Sequence, residues 1–414
     1  MKYAFALPGS RGDVQPALSV ALELRRRGHD VAVGVAPDLL DLAARLGLDP
    51  RPIGRPTGDL LSSEAFRLHQ SAADPRIRYR ALQDVAAYGW DELRRDVAAL
   101  AADADTIVTG LLGQEIGSAV AERQGAAFAA LHYCPVRAND AAPLIPGVRA
   151  RSVQRAAWRA GERLRWALTR RAENAQREAL GLTPAVVDLP QRLRDRGALE
   201  IQVYDPLLVP GLPAGWGAHR PFTGFLDFRA DDRALLAEPG VGDELGRWID
   251  DGEPPVYIGF GSMPVDDPER LLSAIEHATA DLGVRALLSG GWAPRDSAAH
   301  VKRIGAADHS AVFPRCVAAV HHGGAGTVGA ALRAGIPSLV AWISADQPMW
   351  GELLRRAGAG ASVKAAGLDR RRLREALARV LGAEVRERAA RIRDRMTPAG
   401  VAVAETARLV EQAR

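Results

Sequence analysis

The 414-residue chain predicts an α/β fold of two doubly wound halves facing across a cleft. Three observations predict it. A strand, a glycine loop, a helix and a second strand open the chain. The same grammar restarts beyond a stretch rich in proline and glycine near residue 210, and between these points short apolar runs alternate with helical patterns.

Tyr3–Leu7 is an apolar run of strand length, 8–13 a loop, and the pattern from about Gln15 to Arg27 is helical. Gly28 closes that helix and Val31–Val35 follows at once, the spacing of a right-handed βαβ unit. Further strands are expected at Thr106–Thr109 and Phe128–Leu131, with helices around Arg78–Leu100 and Glu115–Arg123. Pro206, Pro210, Pro213 and Pro221, interleaved with glycines, then break all periodicity. The second half opens with strand Val256–Ile258, the turn Gly259-Phe-Gly-Ser-Met263 and a helix near Asp267. Strands near Ala286–Leu288, Val317–Val320, Ser338–Trp342 and Ala361–Val363 follow, and Asp369 caps a helix over Arg370–Val380. The expected domains are 1–210 and 241–390, joined by a linker over 211–240, with a terminal helix in 391–414 placed to pack back on the first half. A cleft between the carboxyl edges of two such sheets is where ligands of this fold class bind.

Hydrophobic content of 47% with 25% charged residues is that of a soluble globular protein. No apolar run reaches the roughly 18 residues that span a bilayer, and the start reads as a core strand rather than a signal peptide. Two cysteines, Cys134 and Cys316, and no Cys/His cluster argue against a disulfide framework or structural zinc and fit a reducing cytoplasm. A net charge of +4 is too small and dispersed to imply nucleic acid.

The chemistry concentrates in Cys316-Val-Ala-Ala-Val-His-His-Gly-Gly-Ala-Gly-Thr327 and Ser344-Ala-Asp-Gln347. A buried strand ends in His321 and His322, and Gly323, Gly324 and Gly326 lead into a helix. Backbone this bare lets N–H groups close on an anion, and the helix terminus adds its dipole. His322 can donate to a phosphate oxygen, and Thr327 offers a hydroxyl as cap or phosphate ligand. Asp346 and Gln347 carry acceptors and donors suited to sugar hydroxyls. Glycine turns without ligands are common, but paired His, three glycines, Thr and Asp-Gln together favour a diphosphate and a sugar read in one segment.

These residues, with Gly9-Ser-Arg-Gly-Asp-Val-Gln-Pro16 at the front, resemble the nucleotide-sugar-dependent glycosyltransferases of the GT-B fold. The branch most alike acts on glycopeptide antibiotics, glycolipids, sterols and other natural products, and the likeness covers essentially the whole chain. It implies an inverting, metal-independent transfer of a hexose from a UDP-, dTDP- or GDP-sugar to a hydroxyl of a lipophilic or natural-product acceptor. Ser262 and the backbone of 323–327 would contact the diphosphate, Trp292 would lie near the base, and Asp346 and Gln347 would hold the sugar. Asp13 would be the general base, with Ser10 beside it; the competing reading makes Asp13 only a helix cap. Relatives carry Val-Pro-His where this chain has Ala306-Ala-Asp-His309, which leaves the nucleotide base open.

Rival readings are weaker. A dinucleotide oxidoreductase wants a GxGxxG turn, and neither glycine loop supplies it. A hydrolysing sugar-nucleotide epimerase, or a sugar-nucleotide-binding protein without turnover, would share the donor loop. Asp103-Ala-Asp105 precedes a strand, at the wrong end of the sheet for a metal in the cleft, and the pairs Asp231-Asp232, Asp250-Asp251 and Asp266-Asp267 read as surface turns or caps. The Val153, Ala157, Ala160, Leu164 and Ala167 stripe, flanked by arginines, is expected to pack on the core rather than meet a membrane.

Overall fold

The computed structural model describes residues 1–64, 68, 74–145, 147–236, 240–261, 267–290, 298–305 and 307–413. Its first sheet uses β1 (Lys2–Leu7), β2 (Asp30–Val35), β3 (Pro50–Pro52), β4 (Thr106–Thr109), β5 (Ala127–His132) and β6 (Leu199–Gln202). The second uses β7 (Val256–Gly259), β8 (Ala286–Ser289), β9 (Val301–Ile304), β10 (Ala318–His321), β11 (Ser338–Trp342) and β12 (Gly360–Lys364). Both are parallel, in the orders β3-β2-β1-β4-β5-β6 and β12-β11-β10-β7-β8-β9. Each order reverses direction beside its first strand, between β1 and β4 and between β7 and β10. A crevice opens at such a point, outside the carboxyl ends of the strands.

Alternation along β1 builds two cores from one strand. Tyr3, Phe5 and Leu7 face the helix Arg11–Arg26, through Val14, Leu18 and Leu22, whereas Ala4 and Ala6 face Ile107 and Phe128 on the other side. The terminal helix Ala399–Glu411 lies on Arg11–Arg26, its Ala402, Val403, Ala407 and Val410 entering the first core. Glu411 fixes its end by accepting from Arg27 and pairing with His29, both at 2.9 Å.

A further apolar cluster spans the two halves. Cys134, Tyr204 and Trp216 from the first half meet Val328, Val340 and Trp350 from the second. Trp350 is fully buried, with its ring edge-on to Tyr204 at 5.9 Å and tilted against Phe225 at 5.7 Å. Residues 211–240, expected as a linker, include the helices Leu212–Trp216 and Ala230–Leu236, and Trp216 is buried.

Four expectations need correction. The first helix begins at Arg11, not near Gln15, with Ser10, still extended at φ −77° and ψ 172°, as its N-cap. The helix expected over Arg78–Leu100 is two, Pro75–Ala86 and Trp90–Leu100, parted where Gly89 takes φ +73°. In the 29-residue helix Arg151–Ala179 the inward face carries Gln154, Trp158, Thr169 and Glu173, while Val153 and Leu164 are 45% and 56% exposed. The apolar stripe therefore does not pack on the core. Polar residues go inside there because each finds a partner: Gln154 bonds the backbone of Leu144 and Ile145, Trp158 the carbonyl of Ala142, and Glu173 pairs with Arg192. Asp232, expected at the surface, is buried and paired with Arg26. Asp266 lies outside the described residues; Asp267 caps the helix Pro268–Asp281, accepting from Arg270 at 3.0 Å.

Candidate active site

Ser10 and Asp13 stand at the carboxyl end of β1, where the helix Arg11–Arg26 starts. One Asp13 oxygen accepts both the backbone N–H and the hydroxyl of Ser10, each at 2.8 Å. Asp13 is thus the third residue of the helix, and its carboxylate closes the first turn as in a capping box. Gly9 makes the cradle. It sits at φ +117°, and a Cβ there would lie 2.7 Å from the same carboxylate oxygen. Burial raises the Asp13 pKa above the usual carboxylate range, partly offset by the two bonds from Ser10. Capping and basicity coexist here: both bonds from Ser10 fall on one oxygen, and the buried carboxylate is a stronger base than a solvated one.

At the carboxyl end of β10 the two histidines divide their work. His321 is fully buried, and its Nδ1 accepts the Gly323 N–H at 3.1 Å, so this imidazole shapes the loop. Its pKa is driven well below the ordinary value by burial and by His322. The ring of His322 lies between the two glycine turns: a Cβ on Gly324 would come 2.7 Å from its Nε2, and one on Gly261 3.5 Å from its Cε1. Burial and His309 hold it near pKa 4, neutral at pH 7, and its Nδ1 is buried without a hydrogen-bond partner among the described residues. Gly323 takes φ +97°, and a side chain there would meet Val340 at 2.6 Å and Gln347 at 3.3 Å. The helix Ala325–Ala334 then begins with no side-chain cap, and Gly326 and Thr327 lie in its first turn. Its leading N–H groups point toward the crevice end of β10, the arrangement that receives an anion.

The Ser344–Gln347 turn is set against that loop. Ala345 takes φ +58°, unusual for a residue with a side chain, and Asp346 begins the helix Gln347–Ala357. The Trp350 Nε1–H donates to one Asp346 oxygen at 2.9 Å, and the Cys134 thiol also bonds this carboxylate. The Gln347 amide oxygen accepts from the N–H groups of Ile343 and Ser344 at 2.7 and 3.1 Å, so only its amino group is available to a sugar. Burial raises the Asp346 pKa, and the charge of Asp13 adds to it. The two loops come together because the helix Ala325–Ala334 packs against the helix Arg11–Arg26, with Ala325 set on the first core.

Ser262 and Trp292 lie outside the described residues. Asp13, Ser10, His322, Gly323, Gly324, Gly326, Thr327, Asp346 and Gln347 all stand at the two crevices. Asp105 does not: its carboxylate accepts the Lys2 backbone N–H at 2.7 Å, at the amino end of the sheet. No cluster of His, Cys, Asp or Glu with metal-binding geometry occurs among the described residues. Reasoning from sequence missed Tyr133, Cys134 and Trp350. The first two follow β5 directly, and their place at a carboxyl edge was the available signal; Trp350 stands one helical turn after Asp346.

Comparison with known proteins agrees with this geometry. Residues 3–143 match the glycosyltransferase family 28 N-terminal domain, and residues 298–411 the erythromycin biosynthesis protein CIII-like C-terminal domain. An uncharacterised glycosyltransferase of Mycobacterium tuberculosis is 38% identical over 419 residues, covering 100% of this chain and 99% of its own. The vancomycin aglycone glucosyltransferase of Amycolatopsis orientalis is 31% identical over 415 residues, covering 98% and 96%. Among solved structures, the calicheamicin glycosyltransferase superposes with a TM-score of 0.71 at 19% identity, covering 99% and 97%. The glycosyltransferase VinC, solved in complex with dTDP, gives 0.67 at 18%, covering 100% and 99%. The chain is an enzyme of the GT-B class, built of two parallel-sheet α/β domains. It belongs to the glycosyltransferases, in the branch that contains the antibiotic glycosyltransferases.

Proposed function

We propose that this glycosyltransferase moves a hexose from a nucleoside diphosphate sugar to a hydroxyl of a lipophilic or natural-product acceptor, inverting the anomeric carbon. The observation that carries the reading is the packing of the helix Ala325–Ala334, which follows the histidine and glycine turn, against the helix Arg11–Arg26, which begins at Ser10 and Asp13. In the proposed reaction the diphosphate rests on the N–H groups of 323–327 and on His322, and the sugar on Asp346 and the Gln347 amino group. Asp13 takes the acceptor proton as the acceptor oxygen bonds to the anomeric carbon, and the C–O bond to the diphosphate breaks with its electron pair. Charge developing on the leaving group meets preorganised donors, so the reading calls for no metal ion. Holding both substrates in line supplies much of the acceleration. The relative named for the vancomycin aglycone and the dTDP complex of VinC support this substrate class, with UDP, dTDP and GDP sugars as the candidate donors.

Melting the purified protein with UDP, dTDP, GDP and NAD, without added metal, tests the donor. One nucleoside diphosphate should raise the melting temperature, by binding the native state alone, and so select the sugars for acceptor screening. A shift with NAD and with none of the diphosphates would overturn the proposal.

A further inference from the structure

Tyr133 follows β5 at the carboxyl edge of the first sheet and is 6% exposed, yet its hydroxyl is buried without a hydrogen-bond partner among the described residues. A buried hydroxyl left unpaired costs about 1–3 kcal/mol, so folded chains seldom keep one without a use. The phenol lies over Gly110, the residue after β4: a Cβ there would come 3.1 Å from the Tyr133 oxygen and 3.6 Å from the Asp13 carbonyl oxygen. Gly110 therefore leaves open the space into which Tyr133 reaches toward Asp13. Burial pushes the phenol pKa well up, and the charge of Asp13 adds to this, so the group stays protonated and able to donate. The Ser10 hydroxyl is not available for this, because it is committed to the Asp13 carboxylate.

We propose that Tyr133 is an acceptor-binding residue, its hydroxyl donating a hydrogen bond to the acceptor oxygen that gives its proton to Asp13. The inference rests on the reaction proposed above. In the step, the acceptor O–H proton goes to Asp13 and its oxygen bonds to the anomeric carbon. Tyr133 keeps its own proton throughout and fixes the direction of attack. The unpaired hydroxyl is then a cost borne by the free enzyme and relieved by substrate.

Tyr133→Phe separates this role from a structural one. The variant should melt at or slightly above the parent temperature, because it deletes a polar group that bonds nothing. Its affinity for the nucleoside diphosphate that binds the parent should be unchanged. Acceptor KM should rise and kcat/KM fall by about tenfold or more, the loss expected when one oriented hydrogen bond to a reacting group is removed. Parental kcat and KM in Tyr133→Phe would overturn the proposal, and so would a clear fall in melting temperature, which would reveal a structural bond. A parent that transfers no sugar at all would instead sink the proposed reaction, before the variant is made.

Discussion

Asp13 closes the first turn of its helix and, in the proposed reaction, takes the acceptor proton, and a substitution must separate the two. Asparagine can still accept the Ser10 N–H and keep the helix turn, but it cannot take a proton. Alanine would lose the turn as well, at about 0.5–2 kcal/mol. Ser10→Ala removes one bond that lowers the Asp13 pKa, so the acidic limb of the rate profile should shift toward higher pH. The sign follows from the base having to be deprotonated: activity rises as pH climbs through its pKa, and a higher pKa moves that limb upward. An unmoved limb would show that Asp13 does not set it. His322→Ala should weaken nucleoside diphosphate binding while leaving the fold intact, a contrast that calorimetric titration beside a melting curve resolves. Of these residues, Asp13 and His322 were legible in the sequence because each stands in a glycine-rich turn. For Tyr133 the only signal was its place directly after the strand at Phe128–Leu131, and its nearness to Gly110 and Asp13 is visible only in space.

Turns and strands show a similar division. The strands foreseen from apolar runs are present, with bounds shifted by a residue or two. The three that escaped notice, β3, β6 and β9, are all sheet edges. Their sequences Pro-Arg-Pro, Leu-Glu-Ile-Gln and Val-Lys-Arg-Ile interrupt the apolar run with polar residues, and on β6 Glu200 and Gln202 are buried all the same because each has hydrogen-bond partners. The donor turns make sharper predictions. Gly323→Ala places a Cβ on a left-handed residue and against Val340, so both stability and nucleotide binding should fall. Ala345→Gly should do the opposite to stability, relieving a left-handed strain of about 1 kcal/mol, while the freer turn raises donor KM. A melting curve and a donor titration on each variant decide both.

At the scale of the whole molecule, an apolar cluster centred on Trp350 joins the halves, and a buried ionic network braces the N-terminal side of the cleft. Glu200, fully buried on β6, pairs with Arg137 from the loop after β5 and with Arg220 at 2.7 Å. Against the burial that would raise it, these arginines and His132 hold the Glu200 pKa near 2. A carboxyl depressed in this way contributes stability that is full above about pH 4.3 and is lost as pH falls toward 2, where the native state finally takes the proton. Glu200→Gln leaves two buried cations unbalanced and should cost about 3–5 kcal/mol at pH 7. Its deficit relative to the parent should shrink between pH 4 and 2 in denaturant titrations. The central claim is that Asp13 is the base of a sugar transfer whose donor rests on the other half, and single-turnover transfer by Asp13→Asn tests it most directly. With the donor bound at parental affinity, transfer should fall by about 100- to 10,000-fold. Transfer at the parental rate would contradict it.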